Sequence, residues 1–572
     1  MDPDEERCVR PSTVSHPMSP GMSVPRVCRE KSLAIILLSL ALITTGCFFA
    51  RAADSVPISA APTNDAAAAY GQAWTGTLAW SQVFRIQDYG GKGDGAGDNG
   101  PSLERAEAAA IAVGGGVIFF PSGTYVFAND VVLRSGIILR GQDPAPVRNA
   151  PDPRYAPPTR FEFPQYHFSS IGTGADAGTA FKGIHTLNPA ADSNVGVVNI
   201  AVNRGFIDLG DNKIRGPGFR AGSNRLVVGC TVRNAVMPQG YFHFDWEPAV
   251  PTSWQYPWQR YTDPFSFAIR VISTSNALVA NNRLLPATDN FVENGYLIHD
   301  TKKNVVTVDG VLFDYDNRYG IIVNRSWAGV NGTRNGFAAT RDTDPILFGT
   351  GVLIADNYIR NTGRVALYAA GQGAIIRHNT ALNQPDGLVG RYGTDGTREA
   401  NGSSTFEDRG IDFCGYDVTV DGNSYEAHQG KLLVNYPRVN DGEGILMQEW
   451  SGTSAINETI THNTGNSYIG LYDEGRILHC EITDNTVTEG DIQVFSRKET
   501  GPSEVKNNTI ARNHLKGGIH VGGYAPTCGG NRVIDNQSGS PQKLTLEGTV
   551  HDPQHGGDTV VEGNRNLDVV DK

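Results

Sequence analysis

A chain of 572 residues with 67 Gly, a charged fraction of 19 % and a formal net charge of −12 has the profile of many short strands joined by tight turns. That profile excludes a helical bundle. The acidic balance leaves no footprint for nucleic acid and disfavours a strongly anionic polymer unless bound cations or an Arg cluster offset the field.

The chain opens on an export signal. Arg26, Arg29 and Lys31 precede the apolar run Leu33 to Leu42, and Ala50-Arg51-Ala52 offers a small-x-small cleavage site. Residues 1–52 are therefore expected to be a signal peptide with an over-long start, Met18 or Met22 being the alternative first residues, and 53–80 a linker. The mature chain is then secreted, periplasmic or on a bacterial cell surface. Thr44-Thr45-Gly46-Cys47 supports a competing reading, a lipid anchor at Cys47, which is the one route by which a membrane enters. The apolar run is short for a retained span. Cys230, Cys414, Cys480 and Cys528 remain after cleavage, far apart and without C-x-x-C spacing, so buried thiols are expected rather than a zinc site or a disulfide framework.

Between Ile86 and Gly141 stand Asp88-Tyr89-Gly90, Gly93-Asp94-Gly95, a stretch of helical composition from Pro101 to Ala112, then Gly116-Val117-Ile118-Phe119-Phe120-Pro121 and Gly123-Thr124-Tyr125. This segment resembles the N-terminal cassette of the pectate lyase-like superfamily, which includes polysaccharide lyases, glycoside hydrolases, epimerases and phage tailspikes. The resemblance implies an all-β fold, a single-stranded right-handed parallel β-helix (a solenoid) with a short N-terminal capping helix. It is specific for fold and says little about reaction.

Further along, Asn recurs in one context, at Ile354-Ala355-Asp356-Asn357, Ile376-Arg377-His378-Asn379, Val420-Asp421-Gly422-Asn423, Ile460-Thr461-His462-Asn463, Ile482-Thr483-Asp484-Asn485 and Val505-Lys506-Asn507-Asn508, with steps of 22, 44, 40, 22 and 23. A base step near 22 suits one coil of a parallel β-helix. Strands stacked about 4.8 Å apart would align these Asn in a ladder at a bend, a structural role. A second strand per coil opens on Gly, as in Gly320-Ile321-Ile322-Val323 and Gly444-Ile445-Leu446-Met447. The helix is expected over 81–536 with loop excursions, and 537–572 as a C-terminal tail or cap.

The excursions at 142–192, 242–270, 324–348, 388–414 and 424–442 are expected to gather along one edge and wall a groove. Aromatic side chains concentrate there, with Trp246, Trp254, Trp258, Trp327, Trp450 and Tyr319 offering ring faces to sugar C–H groups. About half of such rings are expected merely to pack an excursion onto the barrel. The residues preceding each strand-opening Gly, among them Gln239, Asn294, Tyr319, Asp386, Glu443 and Gly517, are expected to form a column. Asp386 and Glu443 would then be neighbours and could serve as the paired carboxylates of a glycosidase, although Pro-Asp-Gly and Asp-Gly-Glu-Gly are also ordinary turn sequences. Arg364 and Arg391 are further catalytic candidates, with Asp412, Asp441 and Glu449 as substitutes.

These residues point to a polysaccharide partner and lean to hydrolysis of glycosidic bonds. The Asn-Thr-Asp, Asp-Asp, Gly-His-Gly and Arg-Ile-Lys motifs of the polygalacturonase-like branch do not occur, which sets pectin hydrolysis in doubt. A lyase acting on a uronate polymer by β-elimination is the alternative. It needs a base and a neutralised carboxylate, which Arg318, Tyr319, Arg364, Arg391, Asp314 and Asp316 could help supply. No cofactor is required by the hydrolase reading; calcium enters only with a lyase. A non-catalytic glycan-binding β-helix is the third reading.

Overall fold

In the computed structural model the described residues are 65–144, 156–164, 182–210, 221–233, 235, 267–285, 319–324, 349–360, 365–383, 409–427, 443–448, 455–473, 476–496, 504–523, 527–547 and 559–571. Short strands at 213–214, 243–244, 298–300, 305–308 and 311–313 are described as well. They form a right-handed parallel β-helix, with 43 strands joined in one hydrogen-bonded network.

One coil shows the construction. Strands Arg476–Leu478, Glu481–Thr483, Thr486–Val487 and Ile492–Ser496 pair in parallel with Glu504–Lys506, Thr509–Ala511, His514–Leu515 and Ile519–Gly523 of the next coil. Along each strand one residue in two faces inward. Ile477, Ile482, Val487, Ile492 and Val494 therefore enter the same continuous apolar core as Val505, Ile510, Leu515, Ile519 and Val521.

Each bend has a recurrent cause. A residue with left-handed backbone, such as Asp356, His378, His462, Asp484, Arg512 or Asp535, turns the chain, and the Asn that follows it points into the solenoid. Asn423 is typical: its side-chain amide donates to Ile376 O at 2.9 Å and to Asn463 Oδ1 at 2.9 Å, while its Oδ1 accepts from the backbone and side-chain N–H groups of Asn379 at 2.8 and 3.0 Å. The ladder runs from Asn282 through Asn357, Asn379, Asn423, Asn463, Asn485, Asn513 and Asn536 to Asn564. Its rung after Asn485 is Asn513, not Asn508. Asn508 belongs to a second ladder at another corner, accepting from the Cys480 N–H and donating to Asn531 Oδ1. Glu458 stands at that same corner, its Oε2 accepting from Val418 N–H at 2.8 Å. Burial holds its carboxyl well above the usual range.

At the N-terminal end the helix Gly100–Ile111 starts with Pro in its first turn and sends Leu103, Ala106 and Ala110 into the core beside Ile86 and Ile118. It closes the open end of the solenoid. Glu107 of this helix pairs with Arg134 at 2.8 Å, yet burial pushes its carboxyl up to about 7. Two boundaries differ from those the spacing suggested. Residues 67–80 are packed rather than loose: Ala67, Leu78 and Trp80 cover an apolar outer face formed by Phe119, Val198, Val228, Ala280 and Ala355. The stack also runs on past Asn536, because Gln537–Leu546 pairs with His514–Leu515, Ile519–Gly523 and Arg565–Asp571. Cys230, Cys414, Cys480 and Cys528 are buried, and burial raises the Cys230 and Cys528 thiols to about 12.

Candidate functional site

Strands of five to eight residues stack into one ribbon. It includes Gly205–Leu209, Phe267–Val271, Tyr319–Val323, Val365–Gln372, Arg409–Tyr416, Glu443–Gln448, Tyr468–Asp473, Ile492–Ser496 and Ile519–Gly523. Ile207, Ile269, Ile321, Leu367, Ile411 and Ile469 of this ribbon fill the core. By alternation, the residues between them face outward. The register aligns Asp208, Arg270, Ile322, Tyr368 and Asp412 on successive coils in one outward row, and the same backbone register continues through positions 446, 470 and 493 to His520.

Four members of that row are ionisable and nevertheless buried, with relative exposures of 1 % for Asp208, 2 % for Arg270, 6 % for Tyr368 and 5 % for Asp412. Arg270 grips Asp208 through two hydrogen bonds, Nε to Oδ1 at 2.8 Å and Nη2 to Oδ2 at 2.5 Å. Its guanidinium also lies 4.7 Å from the centre of the Phe267 ring. A buried charge needs such a fixed partner, because desolvation otherwise exceeds the gain. The Tyr368 hydroxyl lies 3.3 Å from Cys414 Sγ. Phe206, Ile322, Ala370 and Tyr416 complete an apolar patch beside it. The row therefore combines charge, a phenol and aromatic surface, the mixed lining that positions a polar ligand.

The expected column is formed by different residues. At the level of Glu443 the register runs Phe267, Tyr319, Val365, Arg409, Glu443, Tyr468. Tyr319 and Glu443 thus share a column, as the spacing suggested. The rung directly before Glu443 is occupied by Arg409, not Asp386: the coil that follows Asn379 joins this ribbon through the strand Arg409–Tyr416. The strand Arg409–Tyr416 likewise interrupts the stretch 388–414 that was expected to be one excursion. Asp386, Arg391, Arg364, Trp246, Trp254, Trp258, Trp327 and Trp450 lie outside the described residues. Among the described residues no group of three or more His, Cys, Asp or Glu gathers as a metal site.

Asp412, a substitute candidate, falls in the buried row, while Asp441 and Glu449 lie outside the described residues. Asp208, Arg270 and Tyr368 do not precede a strand-opening Gly, so that pattern does not mark them. A usable signal was there: each stands between two core residues, as in Ile207-Asp208-Leu209, Ile269-Arg270-Val271, Leu367-Tyr368-Ala369 and Ile411-Asp412-Phe413.

Residues 83–150 match the family model described as rhamnogalacturonase A/epimerase, pectate lyase-like. Mannuronan C5-epimerase AlgE1 of Azotobacter vinelandii is 36 % identical over 66 residues, 10 % of this chain and 5 % of that protein. Plasmin and fibronectin-binding protein A of Streptococcus pneumoniae is 37 % identical over 68 residues, 12 % of this chain and 10 % of that protein. The matched stretches thus span a small part of these curated relatives. Among solved structures, the catalytic unit of a thermostable GH87 α-1,3-glucanase from Streptomyces thermodiastaticus aligns at 15 % identity with a TM-score of 0.37, over 84 % of this chain and 68 % of that one.

Proposed function

We propose that this chain, a pectate lyase-like right-handed parallel β-helix protein, is an exported carbohydrate-active enzyme that cleaves glycosidic bonds of a polysaccharide along the outer face of its long-strand ribbon. The observation that carries this reading is the buried row of Asp208, Arg270, Tyr368 and Asp412. A solenoid needs apolar residues inside its coils; it has no need of ionisable groups aligned and desolvated on the outside. Buried, mutually constrained ionisable groups are characteristic of sites that bind and react.

Glycoside hydrolysis needs two carboxyl groups, one to protonate the leaving oxygen and one to act as base or nucleophile. We propose Asp412 and Glu443 for this pair, with Asp412 taking the role, though not the column position, that sequence spacing gave to Asp386. The register Asp412↔Leu446 sets Glu443 on the adjacent coil, three residues back along the strand. The two backbone positions are then roughly 11 Å apart, from the strand spacing and the rise per residue. A backbone separation of that size is too wide for the close pair of a retaining enzyme, so the proposal takes the wider carboxyl spacing of about 6.5–9.5 Å, which leaves room for a water and inverts the anomeric centre. Tyr319, in the column of Glu443, is proposed to contact the glycan.

The test is a polysaccharide panel followed by reducing-end release, by ultraviolet absorbance of unsaturated uronates and by the anomeric configuration of the first product. Reducing ends without new absorbance, and an inverted product, are expected. New absorbance would overturn hydrolysis in favour of β-elimination, and retention by the protein without any cleavage would leave a glycan-binding β-helix.

A further inference from the structure

A pocket of about 400 Å³ opens at the carboxy-terminal end of the same ribbon face, lined by Asp491, Gln493, His520, Lys543, Thr545 and Asp568 among others. We propose that it is a second glycan subsite, one that takes an uncharged sugar unit of the same chain. The proposal rests on the reading of this face as a polysaccharide surface, and it narrows the substrate class.

Position is the first argument. Gln493 and His520 belong to the outward row that contains Asp412, three and four coils further on. They lie roughly 14 and 19 Å away at the strand spacing. A glycan extended along the solenoid axis advances about one pyranose ring per coil, so a chain held at Asp412 reaches the pocket after a few units.

Construction is the second. Asp491 stands at the head of strand Ile492–Ser496 and accepts from Gly518 N–H at 2.7 Å through Oδ1, which fixes the carboxylate. His520 is held from two sides, by Glu547 at 2.8 Å from its Nε2 and by the Phe495 ring at 4.7 Å between centroids. Lys543 and Asp568 occupy paired positions on the last two coils and bring a donor and an acceptor to the rim. Carboxylate, amide, imidazole and ammonium groups together match sugar hydroxyls, which both donate and accept.

Charge is the third. Asp491 and Asp568 place two carboxylates in the lining against Lys543, and Glu547 adds a third behind His520. A uronate would meet a net negative lining, and like charges at this range disfavour binding. A neutral pyranose meets no such penalty.

The experiment is binding of the mature protein to immobilised neutral oligosaccharides and to uronate oligosaccharides of matched length. Wild type is compared with His520→Ala and Gln493→Ala, and cleavage of each glycan is followed in parallel. Wild type is expected to retain the neutral set in preference. Each substitution is expected to weaken binding about tenfold, the value of one hydrogen bond to a polar ligand, without moving the melting temperature. His520→Gln, which keeps a donor, should recover part of the loss. Stronger retention of uronates, binding unchanged in both Ala variants, or no retained glycan would overturn the subsite. Cleavage by wild type with both variants binding normally sinks the subsite alone. Neutral binding that the variants lose, with no glycan cleaved, sinks the hydrolytic reading alone.

Discussion

The solenoid has two outer faces that are built alike and finished differently. On one, Phe119, Val198, Val228, Ala280 and Ala355 make an apolar strip that the chain covers with its own residues Ala67, Leu78 and Trp80. The Tyr70 hydroxyl also meets Asp356 there, and burial with that carboxylate raises the phenol above its ordinary range. On the other, the equivalent outward positions carry Asp208, Arg270, Tyr368 and Asp412. Both faces rest on the same core and the same Asn ladder. The apolar face is held chiefly by burial of methyl and ring surface, and the buried Arg140 in its row is paired with Asp143 and covered by Trp80. The polar face costs desolvation for each charge it hides, and its retention therefore points to chemistry.

The largest effect that separates the two faces should come from the carboxylates. Asp412→Asn and Glu443→Gln are each expected to lower turnover on the polysaccharide about a hundredfold or more, while thermal unfolding stays where it is in wild type. Full turnover in both variants would return this face to a binding role. The converse change is Trp80→Ala on the covered face. Trp80 is buried, donates from Nε1 to Thr75 O at 2.7 Å, and lies 6.0 Å from the Arg140 guanidinium. Its loss should cost about 3–5 kcal/mol of stability, measured by denaturant unfolding, with turnover per folded molecule unchanged. A fall in turnover at temperatures where the variant is folded would show that the faces are coupled.

The interior that both faces share is probed at Asn423. Asn423→Ala strands the Ile376 carbonyl and the Asn379 donors, so a loss of about 2–4 kcal/mol is expected from unsatisfied buried groups. Hydrogen exchange should rise first at the coils on either side of it. The smallest effect depends on pH. Because the folded chain holds the Glu107 proton up to about 7 against 4.5 when unfolded, its stabilisation is complete below 4.5 and is lost as pH rises through about 7. A shift of that size is worth roughly 3 kcal/mol. Glu107→Gln should remove this pH dependence, read as the change in unfolding free energy between acid and mildly alkaline buffer. An unaltered dependence would place it in other carboxyl groups.

The ladder residues Asn357, Asn379, Asn423, Asn463 and Asn485 were legible because each repeats one local event, a left-handed residue followed by an inward amide. Asn508 was misplaced because two corners of the coil use the same chemistry, and a linear spacing cannot tell them apart. The covering of one face by residues 67–80 was not legible either, since Trp74, Leu78 and Trp80 carry no periodicity that names their partner.

By itself the sequence determined the fold class: the alternating apolar residues, the Asn bends and the cassette at 86–141 are short-range signals, each complete within about one coil. The tertiary structure alone decided which residues of different coils stand side by side. Insertions between rungs vary freely in length, so the neighbour of Glu443 is Arg409 rather than Asp386. Strand register, set by backbone hydrogen bonds and core alternation, drew Asp208, Arg270, Tyr368 and Asp412 into one row across more than two hundred residues of chain.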